Sequence, residues 1–376
     1  METMPAYDAF LLLSFGGPEG PDEVMPFLEQ VTKGRGIPRE RLADVAEHYY
    51  AYGGVSPINA QCRDMLGAIG AALRTEGLDL PLYWGNRNWH PFIEDTVRKM
   101  KADGVERAIA FVTSAYSSYS ACRQYLDDIE RAVAAAGPGA PRIDKIRPYY
   151  NHPGFIEPFA ASVEAALAGL PAEAQAGARL VFTAHSVPVG MAASSGSVAA
   201  GTAVPGAVGG RYAAELREAS RLVTERVRGA SLPFDLVFQS RSGPPGVPWL
   251  EPDVNDHLAA LAKGTQPNGD PLPGGPPSGV VVAPIGFVSD HMEVVHDLDV
   301  EAAHTAGSLG LPFARAKAPG STPGFAAMAA ELVAERVRGA EPRALGRFGL
   351  GAFAGGAGEC PADCCRYAPS RPGRPA

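Results

Sequence analysis

The feature that most constrains this chain is a junction. Residues 280–287, VVVAPIGF, form an apolar, β-branched run, and a strongly acidic segment, SDHMEVVHDLDVE, follows at once. A run of that length and composition reads as a strand buried on both faces, the kind found in parallel sheets. Ser289 and Asp290 are good N-cap types, so a helix is expected to begin there. On that helix Glu293, Asp297 and Glu301 recur at four-residue spacing and share one face. Like charges so placed repel and cost helix stability, so folding alone does not ask for them. A carboxylate row just past a parallel strand is a route for a metal ion or for protons, and a solvated acidic face is the plainer alternative.

The rest of the chain repeats the strand–helix alternation. Apolar runs at 9–15, 80–85 and 107–114 alternate with helical patterns in the first 150 residues, and the pattern restarts at 151 with runs near 179–184, 234–239 and 280–287. This predicts an α/β protein of βαβ units. With 376 residues, two domains are expected: 1–150, and 151–319 carrying His185 and Glu293, with a helix near 320–340 packing back on the first and a loose tail at 341–376. The uncharged, low-complexity stretch 189–210 reads as a long loop.

Composition narrows the function. A net charge of −8 without a Lys/Arg cluster argues against a nucleic-acid partner. No apolar stretch approaches the length of a membrane span, and Glu2 ahead of a short apolar run is not a signal peptide, so a cytoplasmic protein is expected. Gly16-Gly17-Pro18-Glu19-Gly20 follows the first strand but lacks the GxGxxG spacing, and no GKS or GKT occurs, so no nucleotide site is expected. Five cysteines give no disulfide framework; Cys360, Cys364 and Cys365 crowd the tail, which in a reducing compartment points to metal.

His185 closes the strand-like FTAH, at the sheet edge where ligands bind in open parallel sheets. It shares that edge with the acidic segment, and an imidazole facing carboxylates suits metal handling or proton abstraction. Ser186 lacks a GxSxG setting and is not read as a nucleophile. Trp84, Trp89, Tyr116, Tyr119 and Trp249 are aromatic candidates for lining a wide apolar pocket, with ordinary packing as the alternative for each.

LLLSFGGPEG, YGGVSPIN, FTAHSVP, QSRSGPPGVPWLEPDV and PIGFVSDHMEVVHDLDVEA, in this order from about 7 to about 338, resemble the ferrochelatase family. The resemblance implies two similar Rossmann-like domains, each a four-stranded parallel sheet flanked by helices, with a porphyrin in the cleft between them. It implies insertion of ferrous iron into the porphyrin, with release of two protons. The family's catalytic pair falls on His185 and Glu293, and its acidic metal relay on Asp297 and Glu301. Porphyrin contacts are expected from Phe15, Tyr52, Ser56, Arg87, Tyr116, Tyr119 and Trp249, with Arg87 and Arg241 as candidates for propionates. FGGPEG, GNRNWHP and the cysteine tail are similar to the actinobacterial branch, which implies coproporphyrin III as substrate and coprohaem as product. Protoporphyrin IX, or a non-catalytic tetrapyrrole- or iron-sensing role, is the alternative. Phe15 stands where some relatives carry an iron-ligating tyrosine. A [2Fe–2S] cluster is implied on Cys360, Cys364 and Cys365, the fourth thiolate being Cys122 with Cys62 behind it, because FIEPFA offers Pro158 where other members place a cysteine. A monomer is expected, with a haem-pathway enzyme as a possible partner.

Overall fold

The computed structural model describes residues 7–34, 36–197, 209–227, 232–243, 246–346 and 361–367. In chain order the elements are β1 (Ala9–Ser14), α1 (Pro21–Val31), α2 (Arg39–Tyr50), α3 (Ile58–Thr75), β2 (Leu82–Asn86), α4 (Ile93–Ala102), β3 (Arg107–Val112), a π-helical turn (Tyr119–Arg123), α5 (Gln124–Ala136) and β4 (Arg142–Lys145). The second series is α6 (Pro153–Ala168), α7 (Ala172–Gln175), β5 (Ala178–His185), α8 (Val189–Ala193), α9 (Gly210–Thr224), β6 (Phe234–Gln239), α10 (Val254–Ala262), β7 (Gly279–Ala283), α11 (Met292–Val294), a π-helix (Val295–Ala302), α12 (Ala303–Ser308), β8 (Phe313–Arg315) and α13 (Pro323–Arg338).

The strands form two parallel four-stranded sheets, ordered β2-β1-β3-β4 and β6-β5-β7-β8. One topology is thus written twice, with β5 in the place of β1 and β7 in the place of β3. All six residues of β1 and all five of β7 are buried, as central strands covered on both faces require. In each sheet the strand order reverses between the first and third strands, and the loops leaving those two strands open the crevice where such sheets bind ligands.

One apolar core joins the two sheets: Phe10 and Phe111 of the first belong to the same buried cluster as Phe182 of the second and Phe155 of α6. The last helix, α13, packs on both α3 and α6. Its Phe325 meets the rings of Phe111 and Tyr149 at 5.8 and 6.0 Å. Thr322 caps its N-terminus by accepting from Phe325 N–H, and Gly339, with φ of 65°, ends it in the left-handed conformation that glycine adopts freely.

Three local expectations need correction. The strand at 280–287 is shorter, ending at Ala283, because Pro284 breaks the ladder. Neither Ser289 nor Asp290 caps the acidic helix; His291 occupies that position, and Asp290 instead forms an ion pair with Arg315 of β8 at 3.2 Å. The stretch 189–210 is not all loop: α8 opens it, Gly210 begins α9, and 198–208 lies outside the described residues.

Candidate metallation site

His185 ends β5 and Glu293 lies in α11, on the segment that follows β7, so the two flank the reversal point of the second sheet. His185 Nε2 and Glu293 Oε2 are 3.9 Å apart, and both side chains are partly solvent-accessible. The other ring nitrogen, Nδ1, contacts the carbonyl oxygen of Ser186. A carbonyl only accepts, so Nδ1 carries the hydrogen and Nε2 presents a lone pair toward Glu293. Tyr212 Oη donates to the His185 carbonyl at 3.0 Å and fixes the strand end from behind.

Glu293 has a second imidazole beside it: His291 Nδ1 is 3.8 Å from the same Oε2. Burial holds the His291 ring below its ordinary proton affinity, which outweighs the attraction of the Glu293 charge. His291 packs edge-on against Phe287 at 4.9 Å. It escaped the sequence reading as a site residue, although its place two residues before Glu293 was a legible signal.

Beyond Glu293 the chain winds as a π-helix, Val295–Ala302, and carries Asp297 and Glu301. Asp297 accepts from Gln239 Nε2 at 3.2 Å and from Ser240 Oγ. Burial pushes its carboxyl up to about 7, the Ser240 hydrogen bond pulls it down, and the neighbouring charges of Glu293 and Glu301 raise it again. Glu301 lies 3.4 Å from His296 Nε2. Donors are thus strung as an open line from His185 to Glu301. Among the described residues no group of three or more His, Cys, Asp or Glu side chains encloses an ion.

The wall facing this line comes from the first half. The ring of His48, in α2, stacks on that of His296 with centroids 3.7 Å apart. Next to it Tyr49 is buried, and desolvation with the charges of Glu293 and Asp297 raises the proton affinity of its phenol. Met292 joins Val24, Phe27, Leu28 and Leu42 of α1 and α2 in one apolar cluster. The same α2 leads into an exposed apolar lip of Tyr50, Tyr52 and Val55, with Phe15 at the end of β1 also exposed. A lip of rings and aliphatics suits a flat, largely apolar ligand.

The remaining expected porphyrin contacts divide. Phe15 and Tyr52 are exposed, Tyr119 is half-buried with its ring 6.3 Å from that of Tyr367, and Trp249 packs over Gly243 with its indole N–H buried and without a hydrogen-bond partner among the described residues. Ser56 is buried against Gly17. Tyr116 is not a pocket wall: it is buried in the core between the sheets and donates to the Ile285 carbonyl at 2.8 Å. Arg87 is not a free cation for a propionate, because its guanidinium is ion-paired with Asp128 and lies over the Tyr125 ring at 3.7 Å, almost fully buried. Arg241 remains partly exposed, 3.9 Å from Glu251.

Of the tail cysteines, Cys364 and Cys365 are buried with their sulfurs 3.7 Å apart, and Gly196 N–H donates to Cys365 Sγ at 3.2 Å. Cys122 is buried within the π-helical turn, Cys62 is buried against Ser14, and Cys360 lies outside the described residues.

The family model for ferrochelatase matches residues 7–337, close to the whole described chain. The chain belongs to the ferrochelatase family. It is 52% identical over 372 residues to a coproporphyrin III ferrochelatase of Nocardia farcinica, with 99% of each chain covered. It is 49% identical over 376 residues to a coproporphyrin III ferrochelatase of Streptomyces griseus, covering 98% of this chain and 95% of that one. A protein named simply ferrochelatase, from Rhodopirellula baltica, is 46% identical over 380 residues, covering 100% and 99%. Membership makes ferrous iron and a porphyrin the substrates. No helix among the described residues is long and apolar enough to cross a membrane.

Proposed function

We propose that this ferrochelatase inserts ferrous iron into coproporphyrin III, giving coprohaem and two protons, as a cytoplasmic enzyme of haem biosynthesis. The observation that carries the chemistry is the facing pair, with the Nε2 lone pair of His185 turned toward Glu293 at 3.9 Å. Two of the relatives above bear the coproporphyrin name, which supports the substrate.

A flat free-base porphyrin resists metallation because its two pyrrole N–H hydrogens and its planarity block the centre. A ring bent in the crevice turns a nitrogen lone pair outward. His185 Nε2 then takes one pyrrole proton and the Glu293 carboxylate beside it takes the other, and both pass to water as the ferrous ion enters the ring. Asp297 and Glu301 continue the line outward, offering oxygen donors that suit a ferrous ion in transit, with zinc or cobalt tolerated by the same set. The lip of Phe15, Tyr50, Tyr52 and Val55 holds the macrocycle by its apolar face.

The deciding experiment follows absorbance under anaerobic conditions with ferrous iron and either coproporphyrin III or protoporphyrin IX. Metallation of coproporphyrin III alone is expected. Preference for protoporphyrin IX would overturn the substrate, and binding without metallation of either would leave a tetrapyrrole-sensing protein.

A [2Fe–2S] cluster is proposed on Cys360, Cys364 and Cys365 with Cys122. What supports it is two adjacent buried thiols, a backbone N–H aimed at one sulfur, and the ring contact of Tyr119 with Tyr367, which draws the tail toward the turn holding Cys122; among the described residues Cys122, Cys364 and Cys365 do not themselves form a three-ligand group. A bound cluster would supply a redox-responsive link between tail and body. Iron and acid-labile sulfide in protein purified without oxygen, lost in Cys364→Ser, are the expected result; colourless, iron-free protein overturns it.

A further inference from the structure

Gln239 is the last residue of β6, and in the parallel register its partner on β5 is His185. Its carbonyl accepts from Ser186 N–H at 2.8 Å, so its backbone is locked beside the catalytic imidazole. Its side chain, 1% exposed, reaches the other way: Nε2 donates both to the Glu293 carbonyl at 3.3 Å and to Asp297 Oδ2 at 3.2 Å. Ser240, the next residue, donates from Oγ to the same carboxylate oxygen. To do so its backbone adopts φ of 61°, a left-handed conformation uncommon for a residue other than glycine. The segment so gripped is the junction of α11 and the π-helix, a rare winding that occurs mostly at functional sites.

We infer that Gln239 and Ser240 are positioning residues that pin the π-helix to the end of the β5–β6 pair and thereby set the spacing between His185 and Glu293. A shift of the helix to α register would move Glu293, Asp297 and Glu301 relative to a histidine that cannot follow, because it is fixed in the sheet. The two side chains supply three hydrogen bonds from one rigid strand end, two to Asp297 within the π-helix and one to the Glu293 carbonyl in α11 just ahead of it. The functional part of the inference rests on the metallation reading above; the pinning itself does not.

Ser240→Gly tests it cleanly, since glycine accepts the left-handed backbone and only the hydroxyl is lost. Gln239→Met removes the amide donors at similar size. Each variant is expected to raise the KM for ferrous iron about tenfold, the loss that follows removal of a hydrogen bond to a charged group, while porphyrin binding measured by fluorescence quenching stays unchanged. In the double variant Ser240→Gly/Asp297→Ala, loss of the hydroxyl should add nothing to the effect of Asp297→Ala, because Ser240 acts through that carboxylate and alanine leaves no acceptor; additive effects would overturn the assignment. Amide hydrogen exchange across 295–302 gives a readout that needs no turnover. It is expected to speed up in both single variants, and unchanged exchange would overturn the pin whether or not the enzyme is active. A wild-type protein that metallates neither porphyrin would instead sink the functional reading and leave the exchange result standing.

Discussion

Glu301 comes five positions after His296, yet His296 Nε2 lies 3.4 Å from Glu301 Oε1. In an α-helix, at about 100° per residue, such a pair points roughly 140° apart. The wider π-helix, with its i to i+5 bonding, brings the two onto one side. It also turns His296 outward to stack on His48 of α2, so the segment that carries the acidic line is docked on the first half of the molecule. The crevice between the halves therefore has one wall built from a distorted helix and one from an ordinary one.

His185→Ala is expected to abolish iron insertion and leave porphyrin binding intact, because the imidazole supplies a lone pair to the reacting face while its other nitrogen is satisfied by the Ser186 carbonyl. Stopped-flow absorbance and equilibrium quenching on the same preparation separate the two effects. Unchanged turnover would remove His185 from the centre of the mechanism.

Asp297 makes stability depend on pH in a defined direction. Its carboxyl, pushed up to about 7 by burial, keeps a proton that the unfolded chain releases near its ordinary value of about 4. Between those values the native state binds more protons, so stability falls as pH rises through the window and stays lower above it. Asp297→Asn removes this dependence. Its melting temperature should gain on wild type from pH 4 to 7, by the equivalent of about 1–3 kcal/mol, and parallel curves would contradict the burial argument.

His152 acts on the acid side with the opposite sign. It is wholly buried, and burial with the nearby charges of Arg147 and Arg343 brings its ring down to about 3. Glu331 lies 3.3 Å from Nε2 but is already engaged by Arg343, so it does not rescue the imidazolium. As pH falls from about 6.5 toward 3 the unfolded chain takes up a proton the native state refuses, and stability drains away. His152→Asn keeps an acceptor for the Gly154 N–H at the start of α6 and removes the titration. Its denaturant midpoint should fall less steeply from pH 7 to pH 4 than that of wild type.

The sequence revealed the strand-and-helix order and the His185–Glu293 pair because both follow from local patterns: apolar runs make the strands, and the reactive groups sit at the ends of those runs. What it concealed was long-range pairing. Arg87 reads as a free cation until Asp128 and Tyr125, about forty residues on, are seen to enclose it. Asp290 reads as a cap until Arg315 claims it. The π-helix was hidden because carboxylates four residues apart share a face in either winding, and the Gln239 amide that grips it comes from another strand.

The clasp between α13 and the body offers a test of how the two halves are held. Arg147, just after β4, donates Nε and Nη2 to the two carboxylate oxygens of Glu335 at 2.8 Å each, and both side chains are more than nine-tenths buried. Removing one partner of such a pair strands a charge out of water and costs about 3–5 kcal/mol, whereas replacing both with apolar groups is often close to neutral. Glu335→Gln should therefore lower the melting temperature by roughly five degrees. Arg147→Met combined with Glu335→Leu should recover most of that loss. Metallation at low temperature should survive in both, since neither residue belongs to the line from His185 to Glu301. A Glu335→Gln protein as stable as wild type would mean that the apolar face of α13, not its ion pair, holds the helix down.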